Sequence, residues 1–287
     1  MTTSLGDQIA AAMQARDFDL AAQLIGPFVE QTRQEFGDRH EKTASALNWF
    51  GCICQLTERL DEAVAAYEQA LDIGTEDPTS DLAVMMRANL AEVHELMGNA
   101  SAARTMLAQA LALHAQRTGP AYRGLGDVFK QTAVLSEAAG DLDDAERLLL
   151  KALQVTVDTG LEGLLDDIRI HLTRVLLKRG DFTTAAGLRD QVLARISGDM
   201  GWRAAWPISS LMHVLRAVSE IEKSEAGATF VRESLLAMEP FIYDDEPKAN
   251  ERLRWMADGL ESVGELREAE RLRQRAARLS PWITATG

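Results

Sequence analysis

The side chains of this sequence that could do acid–base, nucleophilic or metal chemistry are five histidines, two cysteines and a large excess of carboxylates. His40, His94, His114, His171 and His213 fall in neither an H-E-x-x-H helix nor a C-x-x-C…H arrangement, the spacings that bring ligands onto one zinc ion. Cys52 and Cys54 are two residues apart in a helical stretch. On a helix such positions point about 200° apart, which disfavours a disulfide or a two-thiolate clip and leaves them as core or groove thiols. Gly124-Leu125-Gly126-Asp127 has neither a preceding strand nor a third glycine in the dinucleotide-binding place. The phosphate loop G-x-x-x-x-G-K-[ST] and the nucleophile elbow G-x-S-x-G are both missing. The paired carboxylates Asp143-Asp144 and Asp166-Asp167 read as helix caps and solvated turns. These patterns give no catalytic residue, no metal ligand and no cofactor.

An internal period supplies the elements that would position any site. Arg16-Asp17-Phe18-Asp19-Leu20-Ala21 returns as Arg59-Leu60-Asp61-Glu62-Ala63 and as Gly98-Asn99-Ala100-Ser101-Ala102-Ala103. It returns again as Gly140-Asp141-Leu142-Asp143-Asp144-Ala145, as Gly180-Asp181-Phe182-Thr183-Thr184-Ala185 and as Gly264-Glu265-Leu266-Arg267-Glu268-Ala269. The closing alanines are 42, 40, 42, 40 and 84 residues apart, and Ala226 divides the last step into 41 and 43. In each block a Gly or polar residue can end one helix at positive φ, and an Asp, Asn or Ser can cap the next. Small residues at one place in every unit imply two helices crossing closely there. The breakers Pro78, Gly119-Pro120, Gly160 and Gly198 to Gly201 separate the units, and Trp206-Pro207 reads as a helix start. The expected architecture is all-α: seven helical hairpins over 6–39, 40–77, 78–119, 120–160, 161–201, 202–241 and 242–279, then a tail over 280–287.

These hairpins resemble tetratricopeptide repeats, specifically the variety of about 42 residues found in kinesin light chains. Leu47, Phe50, Gly51, Cys54, Ala63, Tyr67 and Ala70 stand at the motif's large, large, small, aromatic, small, aromatic and small places. Leu90, Ala91, Gly98, Ala103, Leu107 and Ala110 repeat the pattern, as do Thr132, Ala133, Gly140, Leu142, Ala145, Leu149 and Ala152. The fifth unit departs, with Arg189 at a usually aromatic place. The resemblance spans residues 6–279 and implies a right-handed superhelical solenoid whose first helices line a concave surface. It places Ser45, Asn48, Cys52 and Gln55 on that surface, then Met85, Ala88, Glu92 and Glu95. Asp127, Lys130, Val134 and Glu137 follow, then Asp167, Ile170, Arg174 and Leu177. The expected partner-binding residues are Asn48, Gln55, Glu92, Glu95, Asp127, Lys130, Glu137 and Arg174. Carboxylates would meet Lys or Arg of a partner segment, and Asn48 and Gln55 would bond its backbone.

Charge narrows the class of partner. Thirty Lys+Arg against 44 Asp+Glu give −14, a poor match for nucleic acid or an anionic membrane, so a protein or peptide partner is expected. Residues 251–287 hold seven arginines against six acids, and Glu265, Glu268 and Glu270 interleave with Arg267, Arg271, Arg273, Arg275 and Arg278. That reads as a polar capping helix laced by i,i+3 and i,i+4 pairs. The sixth unit is apolar on several faces: Trp202, Trp206, Leu211 and Leu215 form a candidate contact for a partner side chain or for a second copy of the chain. No signal peptide and no run of about 18 apolar residues is evident, and the unpaired thiols fit a reduced, cytoplasmic setting. The expectation is a non-enzymatic scaffold or adaptor. The alternatives are a switch whose superhelix tightens around a peptide signal, and an enzyme using groove carboxylates and histidines.

Overall fold

Small residues recur where two helices must approach, and those positions carry the packing. A computed structural model describes residues 4–77, 79–116, 124–196, 205–217, 224–243 and 248–279. Pro78, 118–120, 198–201, Trp202, the acidic stretch 244–247 and the tail 280–287 lie outside these, as do the side chains of Trp206 and Pro207. Among the described residues the chain is helical, with fourteen α-helices in order. They are α1 (Leu5–Ala15), α2 (Phe18–Phe36), α3 (Glu41–Leu56), α4 (Leu60–Ile73), α5 (Asp81–Leu96), α6 (Ala100–Ala115) and α7 (Leu125–Ala138). Next come α8 (Leu142–Thr159), α9 (Glu162–Arg179), α10 (Phe182–Ile196), α11 (Ala205–Ala217), α12 (Glu225–Met238), α13 (Ala249–Ser262) and α14 (Leu266–Leu279). A single 3-10 turn, Glu239–Phe241, follows α12.

The chain divides into two compact units, 1–135 and 136–287, with the division inside α7. In the first unit α1 packs on α2, α3 on α4 and α5 on α6, and α2 and α4 also pack on the helix that follows them. In the second, α9 packs on α8, α10 and α11, α10 packs on α12, and α13 packs on both α12 and α14. Helices α2, α3, α4, α5, α9, α10 and α13 thus bury faces against both a hairpin partner and an adjoining unit, as stacked repeats require, because one hairpin is too small to make its own core.

The connectors behave as their chemistry dictates. In the six described hairpin connectors one residue adopts positive φ: Gly98, Gly140, Gly180 and Gly264, with Arg16 and Glu58 in the same place in the first two units. Asp17, Asp141 and Asp181 then accept backbone N–H bonds from Leu20, Asp144 and Thr184 at 3.0 Å each. Asn99 departs from the expected pattern: it occupies the cap position of α6 without a side-chain hydrogen bond.

Ala21, Ala63, Ala103, Ala145, Ala185 and Ala269 are all completely buried. The sixth unit corrects the register, because Ala226 is exposed and Gly227 takes the buried place. Gly227 lies 42 residues after Ala185 and 42 before Ala269, so the period is more regular than an alignment on Ala226 gives. Arg189, the departure at an aromatic position, is buried. Its guanidinium lies 5.4 Å from the centroid of the Phe230 ring, Nη1 donates to Ser234 Oγ at 2.8 Å, and Nε donates to Asp190 Oδ1 at 2.8 Å. A planar cation with its donors satisfied fills the place of a ring.

Three further expectations change. Asp166 is no solvated cap: it is 0% exposed, accepting from Arg195 Nε at 2.8 Å and Arg169 Nη1 at 3.4 Å. Leu211 and Leu215 are buried, packed with Thr173, Phe230 and Met238 around one small void, so this part of the sixth unit is core. In α14 the Arg271–Glu268 pair follows the expected helical spacing. Otherwise Arg271 and Arg275 bind Glu239, Arg273 binds Asp258 and Glu261, and Glu265 pairs with Arg232 of α12. That helix is tied down by tertiary ion pairs more than by its own.

Candidate functional site

In the first unit, α3 and α5 present the side chains that the repeat pattern assigns to the binding face. Asn48 is only 1% exposed, because α5 packs alongside α3. Its Oδ1 accepts from Asn89 Nδ2 at 3.0 Å, and the same amide nitrogen lies 3.5 Å from Cys52 Sγ. The Tyr67 hydroxyl stands 3.2 Å from Cys52 Sγ and 3.4 Å from Gln55 Oε1, one proton shared between two acceptors. The Tyr67 ring can sit there only because residue 51 is glycine, since a Cβ at Gly51 would come within 2.6 Å of it. Asn89 was not expected in this network, although it lies three residues before Glu92 and so on the same helical face.

This network is not built for nucleophilic chemistry. Burial raises the pKa of the Cys52 thiol, with the Tyr67 hydrogen bond acting against it. Burial also pushes Cys54 up to about 11. Both sulfurs are therefore neutral thiols near pH 7, poor as nucleophiles and as metal ligands. Among the described residues, no group of three or more His, Cys, Asp or Glu is placed to hold a metal ion. No helix there is long and apolar enough to cross a membrane.

The carboxylates of this unit differ in their commitments. Asp127 is engaged by Lys130 Nζ at 2.8 Å and by Gln131 Nε2 at 2.8 Å. Glu95 is half-buried, while Glu92 is exposed and has no hydrogen-bond or ion-pair partner among the described residues. Gln55 and Met85 are half-buried beside them, and Ala88 is covered. The exposed negative charge of the α3–α5 face is therefore centred on Glu92.

In the second unit the face carries a closed charge cluster. Glu137, with a side chain only 4% exposed, accepts from Arg174 Nε at 2.9 and 3.0 Å and from Arg174 Nη2 at 2.6 Å. Lys178 Nζ lies 2.6 Å from its other oxygen. Burial alone would raise the Glu137 pKa, but the hydrogen bonds and charges of Arg174 and Lys178 outweigh it and hold the carboxyl below its ordinary range. That direction removes it as a general acid at neutral pH. Lys178, which the repeat pattern did not select, sits one helical turn after Arg174. The predicted Leu177 is buried instead.

Beside this cluster, Asp167, Ile170, His171, Arg174, Ser210, His213 and Val214 line a cleft of about 440 Å³ between α9 and α11. His171 Nδ1 is 3.1 Å from Arg174 Nη2, and its Nε2 is 3.5 Å from Asp167. The eight predicted binding residues therefore fall into three states. Gln55, Glu92 and Glu95 remain at least partly accessible, Asp127 and Lys130 pair with each other, and Asn48, Glu137 and Arg174 are held in internal networks.

A family model described as tetratricopeptide repeat matches residues 2–76 and 81–158, more than half of the chain. Comparison with curated protein sequences finds no match. Among solved structures the chain is similar to the apo form of RapI, at 12% identity and a TM-score of 0.62, over 98% of this chain and 97% of that one. It is also similar to a Rap protein complexed with Competence and Sporulation Factor, at 15% identity and a TM-score of 0.55, over 96% of this chain and 74% of that one. BtubC (BKLC) from P. vanneervenii matches at 14% identity and a TM-score of 0.49, over 100% of this chain and 94% of that one. At these identities the likeness is one of fold.

Proposed function

Because this chain belongs to the tetratricopeptide repeat family, we propose that it is a non-enzymatic scaffold or adaptor that binds a segment of a partner protein along the faces of its first helices. The observation that carries this reading is the α3–α5 face. There Glu92 is exposed and, among the described residues, without a hydrogen-bond or ion-pair partner, with Gln55 and Glu95 partly accessible beside it. A carboxylate without a cation on an interaction face favours a partner carrying Lys or Arg, and it adds more to encounter rate and selectivity than to raw affinity. Gln55 offers its amide to the partner backbone, and the α9–α11 cleft accommodates one partner side chain. Neutral thiols and a protein partner suit a reduced, cytoplasmic setting.

Affinity capture from the source cell's lysate tests the reading, comparing the wild type with Glu92→Lys/Glu95→Lys. Glu137 stays unaltered, because a lysine there would be buried against Arg174 and Lys178. The expected result is a partner retained by the wild type and lost by the variant, with equal helicity in both. Retention by both would refute the electrostatic reading.

A second reading is a peptide-controlled switch. The similarity in fold to a Rap protein solved with Competence and Sporulation Factor favours it. It requires the ligand to bind two conformations with different affinity. Solution scattering with and without the captured segment separates the two, since a switch changes overall dimensions and a rigid scaffold does not.

A further inference from the structure

We propose a second docking surface, independent of the first-helix faces: the cleft between α10 and α12, which receives an amphipathic basic helix from a partner protein. The cleft measures about 530 Å³ and lies between the second helices of the fifth and sixth hairpins. Phe182, Thr183 and Ala186 form one wall, and Glu225, Ala226, Thr229, Phe230 and Glu233 form the other.

Two features of the lining define the occupant. The middle is apolar: the Phe182 and Phe230 rings lie 6.2 Å apart, flanked by Ala186 and Ala226. Phe230 itself is buried, with Arg189 against its ring, so the apolar contact a newcomer meets comes from Phe182, Ala186 and Ala226 around it. The ends are acidic. Glu225 and Glu233 are both exposed, and among the described residues neither has a hydrogen-bond or ion-pair partner and no cation lines the cleft. Most cations of the neighbouring helices are spent elsewhere: Arg189 on Asp190 and Ser234, Arg195 on Asp166, and Arg232 on Glu265.

Spacing sets the register. Glu225, Thr229 and Glu233 recur every fourth residue along one face of α12, so the two carboxylates are separated by about 12 Å of helix rise. A partner helix with Lys or Arg two turns apart and a large apolar residue between them matches charge to charge and apolar to apolar. Helices dock into grooves in this way, with anchors at successive turns.

The probe is a fluorescein-labelled, alanine-based helical peptide with two lysines two turns apart and leucines midway, titrated by fluorescence anisotropy. The full-length wild type should bind it saturably, with affinity falling as salt rises. A matching peptide with glutamates for lysines should not bind. Glu225→Gln/Glu233→Gln should weaken binding about ten-fold or more, because both charge-assisted contacts go. These side chains are exposed, and circular dichroism checks that helicity is retained. Glu92→Lys/Glu95→Lys should bind the probe as the wild type does, so failure here is read separately from failure of the first-helix face. Several results would overturn the assignment: unchanged affinity in the Gln variant, loss in the Glu92/Glu95 variant, or no saturation by about 1 mM probe, the weak limit of specific recognition. Self-association of the wild type that Glu225→Gln/Glu233→Gln abolishes would give the cleft to a second copy and overturn the partner named here.

Discussion

Replacing Glu137 by Gln isolates a buried charge cluster on the first-helix face of the second unit. Glutamine preserves the shape but removes the negative charge from beneath Arg174 and Lys178, which between them make four short contacts to the two carboxylate oxygens. A hydrogen bond to a charged group contributes about 1.5–3 kcal/mol net. Full loss of such a network would be large, but the Arg174 and Lys178 side chains are 26% and 37% exposed and recover water when released. The expected net cost at pH 7 is therefore about 2 kcal/mol. Its dependence on pH has a definite sign. The folded pKa of Glu137 lies below the unfolded value of 4.5. The unfolded chain therefore takes up the proton first on acidification, and the contribution is complete above about pH 5 and lost as pH falls through the folded value. Urea unfolding followed by circular dichroism at pH 7 and pH 3 reads both features. The gap between wild type and variant should be wide at pH 7 and narrow at pH 3. A gap below about 0.5 kcal/mol at pH 7, the usual effect of an inconsequential surface change, would refute the reasoning. An equal gap at both pH values would refute it as well.

Other substitutions test the packing and the connectors. Gly51→Ala should destabilise by about 1–3 kcal/mol, since the new Cβ would overlap the Tyr67 ring and the core must shift; thermal unfolding reads it. Glu58→Gly should stabilise by about 0.5–1 kcal/mol by relieving the positive φ of a residue with a Cβ, and an unchanged or lower melting temperature would contradict this. Asp166→Asn should cost about 2–3 kcal/mol in urea unfolding, because it leaves Arg195 and Arg169 without the carboxylate that joins α9 to α10.

The repeat was legible because its cause is local and recurs. Two helices can cross closely only over a small residue, and the completely buried alanines at 21, 63, 103, 145, 185 and 269 mark those crossings. The sixth crossing was misplaced by one residue because Ala226-Gly227-Ala228 presents three small residues in a row, and sequence alone gives no reason to prefer the glycine. The proposed binding face was legible in direction but not in depth. Helical spacing puts Asn48, Glu92 and Glu137 on corresponding faces, but how much of each is covered depends on the packing of neighbouring first helices, as between α3 and α5 or α9 and α11. Asp166 was misread for the related reason that Arg195 lies 29 residues further on, beyond any helical spacing. Lys178 could have been found, since it stands four residues after Arg174 and so extends the same cationic face.

The most direct test of the central claim, that partners dock on the first-helix face of the first unit, is site-specific photocrosslinking in the source cell. A photoreactive residue replaces Glu92 on α5 in one variant and Glu68 on α4 in another, both exposed positions, and mass spectrometry maps what each captures. The account predicts a discrete crosslink from position 92 to a partner segment containing Lys or Arg, and none from position 68. A partner crosslinked from position 68 but not from 92 would contradict it.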